Sequence, residues 1–322
     1  MESLRLCVVG DLHLGFEGAS VIELPDLETA GVDAVISVGD IIDDNRDHAA
    51  TVETGDRYEA VGREWFEAIA NEYTVPIVAV PGNHDPVECT ERLVEGVDGV
   101  LCAHDTVVDE SVFPSLDVSF GPFEFVTDGC KRFDLREGFE YRRFPELNPT
   151  ETATSGDIDY RATEIARQVE ATFGRMVTHD LTIEEGAKAL GIDDRNRDAF
   201  AECAETVTRR FEALTERFAA CSGVPVLLSH ESPFFVDFDY HHQWDGLRGR
   251  LHRGSLPLKL AIRSNSPFVT FCGHLHNSGR DVVKTVDGYS QVINLGYRGI
   301  AIVTLDAEAG VINVERVGEG SR

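Results

Sequence analysis

Five short polar clusters follow one another along the chain: Asp11-Leu12-His13, Gly39-Asp40, Gly82-Asn83-His84-Asp85, His230, and Gly273-His274-Leu275-His276. Each comes after a run of apolar residues, where a buried strand would emerge at the edge of a sheet. A lone Asp-x-His is more often a turn than a ligand pair, and so is a lone Gly-Asp. The ordered set is another matter, because Asp, Asn and His in this number supply mixed oxygen and nitrogen donors for two adjacent divalent ions. Metal-assisted hydrolysis is the chemistry such a set serves.

Residues i and i+2 of a strand face the same side, so Asp11 and His13 are expected to reach one ion together. His274 and His276 repeat the spacing, without having to serve the same ion. Two ions about 3.5–4 Å apart need a bridging group. Asp40 suits that task with its two carboxylate oxygens, and Gly39 before it permits a tight turn. Asn83 adds a neutral oxygen, His84 is placed beside the ions, and His230 supplies a further nitrogen. His48, His104, His179 and His252 have no partner spacing and read as ordinary polar residues.

The elements that must position these clusters read as short β-branched runs: Leu4 to Val9, Ala34 to Val38, Val75 to Val80, Val224 to Leu228, Pro267 to Phe271, Gln291 to Leu295, Ala301 to Leu305 and Val311 to Val314. They are nearly continuous in apolar character, as strands covered on both faces are. Helix periodicity over Arg57 to Asn71 puts Ala60, Trp65, Ala68 and Ile69 on one face. The pattern predicts a layered α/β sandwich. The last three runs, separated by turns with Gly299 and Gly310, predict antiparallel closing strands.

From about Thr106 to Gly223 the chain changes character. After one predicted strand near Gly121 to Thr127 it becomes charged and helix-periodic, with helices at Tyr160 to Met176 and at Arg195 to Cys221. Between them lies a capping-box start at Thr182 with Glu185. This interval reads as an insertion. Leu181 to Ile192 is similar to the first half of a helix-turn-helix, but Asp198, Glu202, Glu205, Glu212 and Glu216 on the next helix do not suit DNA.

Composition narrows the partners. The 57 Asp and Glu against 29 Lys and Arg give a net charge of -28, and only four of the cations are Lys. Such a surface repels itself and nucleic acid. At molar salt that repulsion is screened within about 3 Å, so the composition resembles that of cytosolic proteins of extreme halophiles. The seven cysteines never form C-x-x-C, against a disulfide framework or a structural zinc site. With neither a signal-peptide pattern nor a membrane-length apolar run, a soluble cytoplasmic protein is expected.

The blocks D-x-H, G-D, G-N-H-D, a lone His and G-H-x-H resemble the signature of the calcineurin-like metallophosphoesterases. The resemblance covers about residues 4 to 105 and 224 to 297. It implies an α/β fold, a four-layer α/β/β/α sandwich, with the catalytic domain at 1–105 and 223–322 and a mainly helical insertion at 106–222 that is a possible lid. One ion would be held by Asp11, His13, Asp40 and His276, the other by Asp40, Asn83, His230 and His274. A hydroxide bridging the ions would attack the phosphorus of a phosphate mono- or diester. His84 would protonate the leaving oxygen or stabilise the transition state, and Asp43 would orient His84. The donor set admits Mn, Fe, Zn, Co or Ni, with Mn(II) the expectation in vitro.

A local cationic island, His241, His242, Arg248, Arg250, His252 and Arg253, makes Arg248, Arg250 and Arg253 candidates for contact with a small phosphate-ester substrate. A second island, Lys131, Arg132, Arg136, Arg142 and Arg143, opens the insertion. Phe234, Phe235, Phe238, Tyr240 and Trp244 are read as burying their loop rather than stacking on a base. Two alternatives stand beside the esterase. Asp11-Leu12-His13-Leu14-Gly15 also resembles the opening of the DNA-repair nuclease branch, against which stand the net charge and the lack of an extended basic groove. The other is a metal-free binding or scaffold module on the same fold. Protein phosphatase activity is disfavoured by Asp44-Asn45, where that branch has Arg-Gly.

Overall fold

The computed structural model describes residues 3–15, 22–43, 52–116, 118–131, 139, 143–148, 158–240 and 252–317, with only the backbone of 52–56 and 158. Two six-stranded sheets carry the fold. The first contains β1 (Ser3–Gly10), β2 (Ala34–Ser37), β3 (Ile77–Ala79), β4 (Val100–Cys102), β11 (Gly299–Asp306) and β12 (Val311–Arg316) in the order β12-β11-β1-β2-β3-β4. The second contains β5 (Val107–Val108), β6 (Phe123–Asp128), β7 (Val224–Ser229), β8 (Val269–Cys272), β9 (Gly279–Thr285) and β10 (Gly288–Asn294) in the order β5-β6-β7-β8-β10-β9.

Strand β1 shows why the layers form. Leu4, Leu6 and Val8 pack between the sheets with Val226, Leu228 and Phe271, whereas Cys7 and Val9 point the other way, to Trp65, Phe66 and Ile69. A strand with apolar residues at both parities can only be satisfied by cover on both faces. The outer cover of the first sheet is α1 (Leu27–Ala30), α2 (Val52–Glu72) and α3 (Val87–Val94). On the second sheet it is α4 (Ile158–Val177), α5 (Ile183–Ala189), α6 (Arg197–Ala220) and α7 (Leu256–Asn265). The four-layer α/β/β/α order expected from the resemblance is therefore the observed one.

Several expectations are corrected. The buried face of α2 is Gly62, Trp65, Phe66 and Ile69, while Ala60 and Ala68 are exposed. Gly62 is there because a Cβ would come within 2.5 Å of Ile42, so α2 packs tightly on the loop after β2. The last three runs do not close together. Of the three, β11 and β12 pair antiparallel with each other, next to β1, whereas β10 lies in the other sheet, antiparallel to β9 and parallel to β8. Gly296, at φ 79, lies in the connection that crosses between the sheets.

The interval 106–222 is mainly helical among its described residues, but β5 and β6 at its start pair into the second sheet. An insertion begun at 106 thus includes two strands of that sheet. The helices that follow share one core with α7, Leu227 and Val292. The Thr182–Glu185 capping box forms as predicted, with Glu185 N–H donating to Thr182 Oγ1 at 3.2 Å and Thr182 N–H donating to Glu185 Oε2 at 2.9 Å. All seven cysteines are free thiols. No helix among the described residues is long and apolar enough to cross a membrane.

Candidate metal centre

Parallel strands β1, β2 and β3 end side by side, and so do β7 and β8. The polar clusters lie in the loops that leave these ends. Hydrogen bonds from Asp11 N–H to Gly39 O, His13 N–H to Asp40 O and Leu14 N–H to Ile41 O continue the β1–β2 pairing into the loops. The expected i, i+2 strand geometry does not hold there. Asp11, His13, Asp40, His274 and His276 all have φ between 46° and 70°, the left-handed region in which a non-glycine residue costs about 1–3 kcal/mol. The donors converge because the chain coils back at each loop.

Two donor groups result. Asp11, His13, Asp40 and His276 offer ligand atoms within 4.8 Å of one another, as do Asp40, His230 and His274. Asp40 belongs to both. Asn83 joins the second group, its Oδ1 being 2.9 Å from His230 Nε2 and 3.0 Å from His274 Nδ1. A third group, His13, Asp43 and His84, lies alongside. Its Asp43 Oδ1 is 2.9 Å from His84 Nδ1 and 3.3 Å from His13 Nδ1.

Close approach of these loops depends on glycine. A Cβ on Gly39, at φ 95, would lie 2.6 Å from His230 Nδ1, and one on Gly273 would lie 2.8 Å from Asp11 Oδ2. Asp85, buried in the third cluster, ties the carboxylate side together. It accepts from Asp40 N–H at 2.9 Å, Ile41 N–H at 2.7 Å and Gly82 N–H at 2.8 Å.

The buried donors fit cations. His230 is fully buried, with Nδ1 2.8 Å from Val38 O and Nε2 facing Asn83 Oδ1 and, at 3.3 Å, Asp40 Oδ2. A neutral imidazole has one N–H for these two acceptor-facing nitrogens. A second proton or a bound ion would resolve the conflict; with Nε2 holding an ion, Nδ1–H would donate to Val38 as a metal-bound histidine usually donates to an outer acceptor. Asp11 Oδ2 is likewise buried without a hydrogen-bond partner.

The electrostatics agree. Burial raises the Asp11 carboxyl to about 6. Burial also disfavours the charged form of His230, but Asp40 and then Asp11 hold the imidazolium up to about 10. His84 is held up to about 9 in the same way, by Asp40 and Asp43 against burial. Burial and the His230 charge keep His274 well below its ordinary value. Protons on His230 and His84 balance the carboxylates, a balance that divalent ions would take over.

Residues outside the expected set support the centre. From α6, Arg210 meets Glu231 at 2.6 Å and Asp128 at 3.5 Å, and Arg217 meets Asp128 at 3.3 Å. Glu231 follows His230 directly, and His230 N–H donates to Asp128 O. Ser232 Oγ donates to Gly273 O at 3.0 Å, and Asn294 Nδ2 donates to the same carbonyl at 2.9 Å. Tyr297 lies beside His13 and His276, and Arg298 Nε donates to Leu12 O between Asp11 and His13. Asp85 was visible in the third cluster, but Arg210 sits in an acidic helix with nothing local to mark it.

Of the expected substrate contacts, Arg248 and Arg250 lie outside the described residues, as do His241, His242, Trp244, His48, Arg132, Arg136 and Arg142. Arg253 is half-buried, its N–H donating to Asp239 O. His252, read from sequence as an ordinary polar residue, has its Nδ1 2.5 Å from the buried Asp239 Oδ1. Phe234 and Phe238 are buried, in keeping with the burial reading of that loop. Lys131 pairs with Asp105 at 2.7 Å.

Comparison with known proteins bears on the same loops. Residues 4–160 match the family model for the calcineurin-like phosphoesterases. No curated protein matches the sequence. A solved structure similar to the chain is the sulfate thiohydrolase SoxB of Thermus thermophilus in complex with glycerol, at 16% identity and a TM-score of 0.37, over 90% of this chain and 40% of that one. The chain thus spans less than half the length of that relative. The matched stretch holds Asp11, His13, Asp40, Asn83 and His84, and the second sheet brings His230, His274 and His276 to them. Over residues 4–160, just under half of its 322 residues, the chain is thus similar to the calcineurin-like phosphoesterases.

Proposed function

We propose that the protein is a binuclear-metal-dependent hydrolase of phosphate mono- or diesters. One observation carries the reading: two largely buried donor groups share Asp40, and a third, Asp43 with His84 and His13, lies beside them. In this reading Asp11, His13, Asp40 and His276 hold one divalent ion, and Asp40, Asn83, His230 and His274 the other. Mn(II) is the proposed ion in vitro, with Fe, Zn, Co and Ni suited to the same donors. Such ions, when bound, polarise a phosphoryl oxygen and lower the pKa of water.

The chain's own residues do the rest. Asp43 takes the Nδ1–H of His84 and fixes the ring. Without ions, Asp40 and Asp43 hold that imidazole up to about 9 against its burial; with Asp40 on the ions, Asp43 remains to favour the Nε2–H that the leaving oxygen would take. His84 has a side-chain exposure of 24%, against 0% for His230, which suits a group that meets substrate rather than one that only holds a cation. Arg253, with Arg248 and Arg250, is proposed to meet the ester. A net charge of -28 favours a small phosphate ester over a nucleic acid.

The test is hydrolysis of p-nitrophenyl phosphate, bis-p-nitrophenyl phosphate and single-stranded DNA with Mn(II) at high salt. One of the two nitrophenyl esters is expected to turn over, with loss of activity in chelator. Asp40→Ala should lower turnover by more than about a hundredfold, beyond what loss of an outer support of a metal site costs. Unchanged turnover in that variant would sink the proposal. Cleavage confined to DNA would identify the nuclease alternative, and a chain that takes up no metal would identify the scaffold.

A further inference from the structure

Two residues in the turn before β11 have no part in the reading above. The Tyr297 ring lies against two of the proposed ligands, its centroid 5.5 Å from His13 and 5.1 Å from His276. The Arg298 guanidinium carbon sits 5.0 Å from the Tyr297 centroid. Arg298 Nε donates to Leu12 O at 3.2 Å and its backbone N–H donates to Asp11 O at 2.9 Å. The side chain is therefore laid along the loop that carries Asp11 and His13. To do this the residue takes φ 51, a conformation uncommon for anything but glycine.

The charge of Arg298 is uncommitted in an acidic chain. Arg210, Arg217 and Lys131, the cations around the β6–β7 loops, each meet a carboxylate. Among the described residues Arg298 has no carboxylate partner, although acids outnumber bases 57 to 29. It is half-buried, and the Nε bond leaves both Nη groups as donors. A guanidinium offers its N–H groups in a planar fork that matches two phosphoryl oxygens. Stacking on Tyr297 fixes the plane of that fork.

From this geometry we infer that Arg298, backed by Tyr297, binds the phosphate group of the substrate beside the donor cluster. The inference rests on the phosphoesterase reading. It makes Arg298 a substrate-binding residue that the cationic islands of the sequence do not include. A purely structural role, in which Nε only staples the Asp11–His13 loop, is the rival.

The two are separated by titrating the Mn-loaded full chain with inorganic phosphate in a calorimeter, for wild type, Arg298→Gln and Arg298→Lys, with Mn content measured on each. Arg298→Gln is expected to keep the wild-type Mn content and to weaken phosphate binding by about tenfold to about a hundredfold, the range for losing hydrogen bonds to a charged group. KM for the nitrophenyl ester should rise by a similar factor while kcat falls less. Arg298→Lys, which keeps the charge without the fork, should recover only part of the affinity. Unchanged phosphate affinity in Arg298→Gln overturns the inference, and so does a parallel loss of Mn and phosphate, which is the signature of the staple. A wild-type chain that binds Mn and phosphate but hydrolyses neither ester overturns the function reading alone, leaving the phosphate titration to judge Arg298.

Discussion

The two sheets contribute unlike halves to one centre. Loops of the first sheet bring every carboxylate, Asp11, Asp40, Asp43 and Asp85, together with Asn83, His13 and His84. Loops of the second bring the imidazoles His230, His274 and His276. Their supports differ accordingly. On the carboxylate side Asp85 collects three backbone N–H groups, those of Asp40, Ile41 and Gly82. On the imidazole side, Ser232 and Asn294 bind the Gly273 carbonyl, and Arg210 of α6 reaches Glu231 and Asp128 from another layer. The lesson is a division of labour in which charge is held by local backbone donors, and nitrogen donors are held by packing between layers.

This contrast can be broken by substitution. The largest effect is expected for Asp85→Asn, which sets an amide NH2 against one of three backbone donors. It should cost about 3 kcal/mol of stability and weaken Mn binding by about tenfold to a hundredfold, read from denaturant melts and metal titration. Arg210→Ala comes next, at about 2 kcal/mol. That is below the range for breaking a fully buried pair, because the Arg210 side chain keeps 19% exposure and Arg217 still faces Asp128. Its loss should appear in the melting curve, with Mn affinity changed less than in Asp85→Asn. Equal losses of Mn affinity in the two variants would end the claim that the halves are supported differently. Smallest is Ser232→Ala, at about 1 kcal/mol, because Asn294 still donates to the Gly273 carbonyl.

Much of the fold was legible because it is a matter of local pattern. The apolar runs marked β1, β2, β3, β7, β8, β10, β11 and β12, and the capping box marked the start of α5. The three-residue β4, the two-residue β5 and the half-exposed β9 were not marked. They are too short or too polar for a period to register, and only pairing with a neighbour makes them strands. The partner sheet of β10 was equally hidden, because a short turn after a strand predicts a hairpin and here leads across to the other sheet.

At the site, the order and chemistry of the donors are properties of the chain itself. Asp, Asn and His at the ends of apolar runs define which atoms are available, and the resemblance to the calcineurin-like family divides them into two groups sharing Asp40. The tertiary structure decided how those atoms meet. Five of the donor residues turn left-handed instead of following strand geometry, and such strain is sustained only where glycine contacts and the Asp85 bonds hold the loops in place. Arg210, Asn294, Tyr297 and Arg298 came to the centre through the packing of the layers, across separations in sequence that no local pattern of charge or polarity records.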